Sequence, residues 1–160
     1  MQFTQSISYP GTVDEVVAMY LTPDYLERRF GRFVVEGSQA VSVEGERVSF
    51  AGTVRPELIP AAAARFVKPD LRIAFTEEWT TNEAGATSRT SVTVDGAPVS
   101  VEATSTLTPT DAGSAREVSG NLSVRVPLLG GRIEKEAVAR VGRLTANEQA
   151  SAAQWLEEHR

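Results

Sequence analysis

Hydrophobic positions along this chain keep two rhythms. Residues 3–9 (Phe3, Thr4, Gln5, Ser6, Ile7, Ser8, Tyr9) alternate apolar and polar with the period of a half-buried strand, and Pro10-Gly11 ends the run. Thr12 stands three residues before Glu15, the spacing of a reciprocal capping box. It predicts a helix over Val13–Tyr20. Thr22-Pro23-Asp24 restarts a second short helix through Arg29, with proline in its first turn, and Gly31 closes the pair.

From Arg32 to Pro127 the rhythm is that of strands. Val48, Phe50, Gly52 and Val54 alternate with Arg47, Ser49, Ala51 and Thr53. Leu71, Ile73, Phe75 and Trp79 share one face of the next strand. Val92 and Val94 run into Asp95-Gly96, a signal for a two-residue hairpin turn, and Val99, Val101, Ala103, Ser105 and Leu107 take up the alternation beyond it. Val118, Leu122, Val124 and Val126 form the last strand. Turn signals at Glu44-Gly45, Asn82 to Gly85 and Asp111 to Gly113 separate the runs. Connections this short join antiparallel neighbours, and the alternation gives the sheet one wet face and one dry face.

After Pro127 and Gly130-Gly131 the helical period returns and lasts for about 28 residues, over 131–158. Ile133, Ala137, Val141, Leu144, Ala152 and Trp155 fall on one side; Arg132, Lys135, Arg140, Arg143, Gln154 and Glu157 fall on the other. The pattern predicts an α+β domain: a curved antiparallel sheet of about seven strands around one long C-terminal helix, with two short helices after the first strand. No linker or repeat divides residues 1–160, so a single domain is expected.

Composition narrows the function. Cysteine is absent and His159 is the one histidine, which removes thiolate zinc sites and Ser-His or Cys-His nucleophile systems. No metal site, cofactor or catalytic set is predicted. The net charge is -5 and Lys68 and Lys135 are the two lysines, so the chain lacks the basic stripe that nucleic-acid binding needs. No window approaches the roughly 20 apolar residues of a membrane span. The first ten residues have neither the basic nor the apolar part of a secretory signal, and a cytoplasmic location is expected.

The order of elements resembles the helix-grip arrangement of the START and Bet v 1-like (SRPBCC) superfamily. Within it, Pro127-Leu-Leu-Gly-Gly-Arg-Ile-Glu-Lys-Glu, followed by Asn147-Glu148 and Trp155-Leu156, resembles a bacterial family, domain of unknown function 2505. The resemblance covers nearly the whole chain and is sharpest at the Gly-Gly-x-Ile-Glu start of the long helix. It implies a fold with an internal cavity; that family brings no substrate and no catalytic residues to carry over.

One sheet bent over one helix leaves space that side chains need not fill. The candidate lining is Phe50, Val54, Leu71, Ile73, Phe75, Trp79, Val101, Leu107, Leu122, Val124 and Leu144, with Glu148. The alternative is that these residues pack to native density. Two carboxylates interrupt the apolar faces. Glu148 falls in the apolar arc of the long helix, where it is expected to pair with an arginine or cap a backbone edge. Glu77 lies between Phe75 and Trp79, and a strand edge or bulge is expected to turn it outward. Glu134, at the helix start, suits the positive end of the helix dipole. Residues 56–70, irregular and bounded by prolines, read either as a lid over a cavity mouth or as a wide connection packed on the two short helices.

The expected function is binding or carriage of a hydrophobic small molecule such as a lipid, polyketide or isoprenoid. Two alternatives stand beside it: a cyclase-, aromatase- or dehydratase-like enzyme working through Glu148, Tyr9 or an arginine, and a protein-interaction module with a vestigial cavity. The scarcity of histidine and cysteine favours the first over an enzyme. Neither ligand identity nor oligomeric state is legible from the residues.

Overall fold

The computed structural model describes residues 1–61 and 63–160. In chain order it comprises β1 (Gln2–Tyr9), α1 (Val13–Tyr20), α2 (Pro23–Phe30), a 3-10 turn (Gly31–Phe33), β2 (Ala40–Glu44), β3 (Arg47–Thr53), two further 3-10 turns (Pro56–Leu58 and Ala64–Phe66), β4 (Arg72–Asn82), β5 (Gly85–Asp95), β6 (Val99–Thr110), β7 (Gly113–Val124) and α3 (Gly130–Glu158). The seven strands form one antiparallel sheet in the order β1-β7-β6-β5-β4-β3-β2. Every neighbour except β1 and β7 is also a sequence neighbour, which is what the short turns dictate.

Local chemistry sets the corners. Thr12 Oγ1 accepts from Glu15 N at 3.2 Å while Glu15 Oε1 accepts from Thr12 N at 3.0 Å, so the capping box forms as read from the sequence. Between β7 and α3, a Cβ on Gly130 would collide with the carbonyl of Val124, so only glycine allows this approach.

The register puts residues 3, 5, 7 and 9 of β1 on the same concave face as 114–124 (even) of β7, 99–107 (odd) of β6, 86–94 (even) of β5, 73–79 (odd) of β4 and 48–52 (even) of β3. α3 packs against β1 and β7 and, near its C-terminal end, against α1 and α2. Its C-terminal part is the docked part: Ala152, Trp155 and Leu156 are buried, and between Gly130 and Ala152 no residue of the helix is fully buried.

The concave face therefore has two halves. Under the C-terminal part of α3, a closed core joins Ile7, Tyr9, Val16, Tyr20, Tyr25, Trp79, Leu107 and Trp155, continued beneath α2 by Leu26, Val34, Val48, Phe50 and Phe75. Toward the β5–β6 turn and the N-terminal half of α3, Ile73, Val92, Val94, Val99, Val101, Leu122, Ile133, Ala137 and Val141 are only half-buried. Residues 56–70 close back toward that end: Lys68 N–H donates to Gly96 O at 3.0 Å, while Leu58 and Phe66 stay exposed. Ala62, within the alanine run of this segment, lies outside the described residues.

Candidate functional site

At the boundary between the two halves lies a buried chain of alternating charges. α1 brings Tyr20, α2 brings Arg29, β4 brings Glu77, β7 brings Arg116 and α3 brings Glu148. Arg116 Nη2 donates to Glu77 Oε2 at 2.8 Å. Arg29 Nη1 stands 3.8 Å from Glu77 Oε1, and its Nε is 2.6 Å from Glu148 Oε1. The sequence runs Arg116, Glu77, Arg29, Glu148: plus, minus, plus, minus.

Neutral donors complete the cluster. Trp79 Nε1 donates to Glu77 Oε1 at 3.1 Å and Thr90 Oγ1 to Oε2 at 2.8 Å. Arg116 also donates to Ser105 (2.9 Å) and Ser88 (3.1 Å). Tyr20 Oη donates to Glu148 Oε1 at 3.1 Å and is 2.7 Å from Tyr9 Oη. The guanidinium of Arg29 lies over the rings of Tyr20, Phe30 and Phe75, and that of Arg116 over Tyr20 and Trp79, contacts that suit a weakly hydrated planar cation.

The electrostatics follow from this geometry. Burial by itself pushes the Glu77 carboxyl up, but the guanidiniums of Arg116 and Arg29 and the bonds from Arg116 and Thr90 more than reverse it and hold it below its ordinary value. Burial first, and the Glu148 carboxylate second, push the Tyr20 hydroxyl well above its ordinary value, so it serves as a donor. Burial raises Tyr9 likewise. Both carboxylates are thus held in ion pairs, and the cluster presents fixed donors and acceptors.

Two expectations need correction. Glu77 is not turned outward: β4 pairs with β5 without interruption from Arg72 to Asn82, no bulge intervenes, and the side chain is 1% exposed. It tolerates the interior because Arg116, three strands away across the sheet, faces it; that partner is invisible to a reading of β4 alone. Glu134 does more than face the helix dipole: its Oε2 accepts from Val124 N at 2.8 Å and its Oε1 lies 3.5 Å from the amino terminus of Met1, so it ties α3 to the sheet. Glu148, by contrast, meets the arginine expected of it.

The other lining candidates divide by exposure. Phe50, Phe75, Trp79 and Leu107 lie inside the closed core, and Leu71 and Val124 are buried outside it, near the β5–β6 turn, Leu71 beside Gly96 and Val124 paired with Val99. Val54 makes an isolated bridge with Val34 just past the end of β3 and is half-buried. Ile73, Val101 and Leu122 border the open half. Leu144 is 46% exposed; it lines a separate pocket between α2 and α3 that also includes Phe30 and Glu148. Sequence reasoning missed Arg29 and Arg116. The signal for Arg116 was its place on the inward parity of β7, between Ser114 and Val118.

A curved seven-stranded antiparallel sheet gripping one long helix, with two short helices after the first strand, defines a helix-grip protein of the START and Bet v 1-like kind. The chain belongs to the family described as a protein of unknown function (DUF2505), which matches residues 4–156. It is similar to an uncharacterised protein of Mycobacterium tuberculosis (strain H37Rv), 25% identical over 166 residues that cover 96% of this chain and 95% of the other. Among solved structures it resembles a conserved protein from Geobacillus kaustophilus (TM-score 0.60, 18% identity, 99% of this chain and 96% of that one). It also resembles norcoclaurine synthase from Thalictrum flavum in complex with dopamine and hydroxybenzaldehyde (TM-score 0.61, 13% identity, 100% and 88%). At these identities the likeness is one of fold. Among the described residues no helix is long and apolar enough to cross a membrane, and no group of three or more His, Cys, Asp or Glu is placed to hold a metal ion.

Proposed function

We propose that this protein binds and carries a hydrophobic small molecule of the lipid, polyketide or isoprenoid kind in the open half of the grip. The observation that carries the reading is the contrast between the two halves of one concave face. Trp79 and Leu107 are packed out of reach of solvent, whereas Ile73, Val92, Val101 and Leu122, on the same face, are left half-covered. Apolar surface left accessible within a concavity is what a ligand of matching polarity covers. The buried charge chain forms the polar wall of that space and keeps the two layers in register. Carriage is favoured over catalysis because both carboxylates in the cluster are already paired with arginine, which leaves no free general base there.

Native mass spectrometry of freshly purified protein tests the reading. The expected result is a co-purifying hydrophobic molecule, lost in Val101→Trp, which fills the open half. A wild-type protein that carries nothing and takes up no hydrophobic probe such as a twelve-carbon acid or its ester overturns it.

A further inference from the structure

The end of the molecule that holds the β5–β6 turn is assembled from three segments. Lys68, in the 56–70 connection, donates its N–H to Gly96 O of the turn at 3.0 Å, and Arg125, just past β7, donates to Pro98 O at 2.9 Å. Gly130 N–H donates to Val126 O at 2.8 Å and folds residues 126–130 into a tight loop. That loop carries Leu128, the most exposed large apolar side chain among the described residues, and the 56–70 connection carries exposed Phe66 two residues before Lys68. Leu128 is also the one non-glycine residue with positive φ among the described residues, at +68°. It bears a strained backbone and a hydrated side chain, and the folded monomer offsets neither. Exposed apolar groups of this kind mark a surface that something else covers.

The charge of this end is the reverse of the chain's. Acidic residues outnumber basic ones 21 to 16 over the whole sequence. Within residues 54–72, basic residues lead four to two, and within 124–135 three to one; Asp95 is the one acidic residue of the turn. Arg65, Lys68, Arg125 and Lys135 are exposed and make no ion pair among the described residues. At the far end of the 11-residue β5, roughly 35 Å of strand away, Asp14, Glu15, Glu83 and Asp111 gather around the opposite turns. A molecule polarised in this way turns its basic end toward an extended negative surface. A bilayer with anionic lipid supplies an apolar layer for Leu128 and Phe66 and acidic headgroups for the cations beside them. Apolar tips on two separate segments, each flanked by long cationic side chains, fit a deformable layer better than a shaped protein pocket. We infer that this end docks on the surface of an anionic lipid bilayer, with Leu128 and Phe66 entering the headgroup layer and Arg65, Lys68, Arg125 and Lys135 meeting its negative charge. Docking does not depend on the carrier reading, although it would hold the open half of the grip near the bilayer.

Co-sedimentation with ligand-free vesicles tests it, using phosphatidylcholine alone and two parts phosphatidylcholine to one of phosphatidylserine. The wild type is expected to bind the mixed vesicles about tenfold or more tightly than the neutral ones, and less tightly as salt rises. Leu128→Asn, which relieves the backbone and so keeps the fold, is expected to weaken binding about tenfold. Lys68→Gln with Lys135→Gln is expected to remove most of the preference for phosphatidylserine. In Leu128→Trp, the added indole is expected to shift its emission to the blue on the mixed vesicles. A wild type that binds neither vesicle, or both equally, overturns the inference, as does binding that Leu128→Asn and the paired lysine change leave intact. A dimer in analytical ultracentrifugation that Leu128→Asn dissolves, without vesicle binding, overturns it in favour of a second copy of the chain. None of these outcomes bears on whether a small molecule co-purifies, so the carrier reading stands or falls separately.

Discussion

Glu77 and Glu148 show how one residue type takes opposite risks in one fold. Glu77 is enclosed on all sides and holds two arginines at once, whereas Glu148 reaches the same arginine from a half-exposed turn of α3. Removing one member of a buried pair strands the other, so Glu77→Ala is expected to cost about 3–5 kcal/mol, read from a denaturant unfolding curve. Glu148 is partly solvated, and Glu148→Gln is expected to cost less, about 1–2 kcal/mol, with ligand affinity little changed. An unfolding midpoint equal to wild type for Glu148→Gln contradicts the ion pair with Arg29. Leu128 presents the reverse situation: it has φ +68° and is fully exposed, so it bears a left-handed backbone with no packing in return. Leu128→Asn, a residue that accepts this conformation, is expected to raise stability by about 0.5–1 kcal/mol.

At the scale of elements, α3 is one helix with two attachments. Its C-terminal turn is fixed by Trp155, which packs edge-on against Tyr25 at 5.4 Å and carries the stacked ring of His159 at 3.8 Å. The last histidine is therefore laid on the helix rather than frayed away from it. Trp155→Ala is expected to cost on the order of 3 kcal/mol or more and to loosen α2 as well, visible as faster amide exchange in Pro23–Phe30. At the other end the helix is tied mainly by Glu134 to Val124 N and Met1, with half-buried side chains between. Exchange is expected to be faster in this half, the half that borders the proposed ligand space.

For the whole molecule, the charge chain joins five elements and links stability to acidity. The folded-state pKa of Glu77 is depressed, so the unfolded chain binds the proton more tightly. Its stabilising contribution is complete above the ordinary carboxylate pKa near 4.3 and is lost as pH falls through the lower folded value. Glu77→Gln, which cannot titrate, is expected to be less stable than wild type near neutral pH, with a shallower loss of stability between about pH 4.5 and pH 2. A variant whose stability falls as steeply as wild type over that interval shows that other carboxylates control acid unfolding.

Periodicity and local spacing determined the strands other than β2, the two short helices, the long helix and the capping box at Thr12, because each depends on neighbours a few residues away. The same local rule placed Phe50, Phe75, Trp79, Val101 and Leu122 on one face. It could not tell which of them would be packed shut, because closure depends on where α3 docks, and only its C-terminal residues do so tightly. Glu77 was misread for the same reason: its counter-ion lies 39 residues away on β7 and faces it only once β5 and β6 are laid between them. Which carboxylate is buried and which apolar residue is left open were decided by the tertiary structure. Those outcomes are set by contacts distant in the chain, and desolvation, unlike strand or helix period, has no local signature in the sequence.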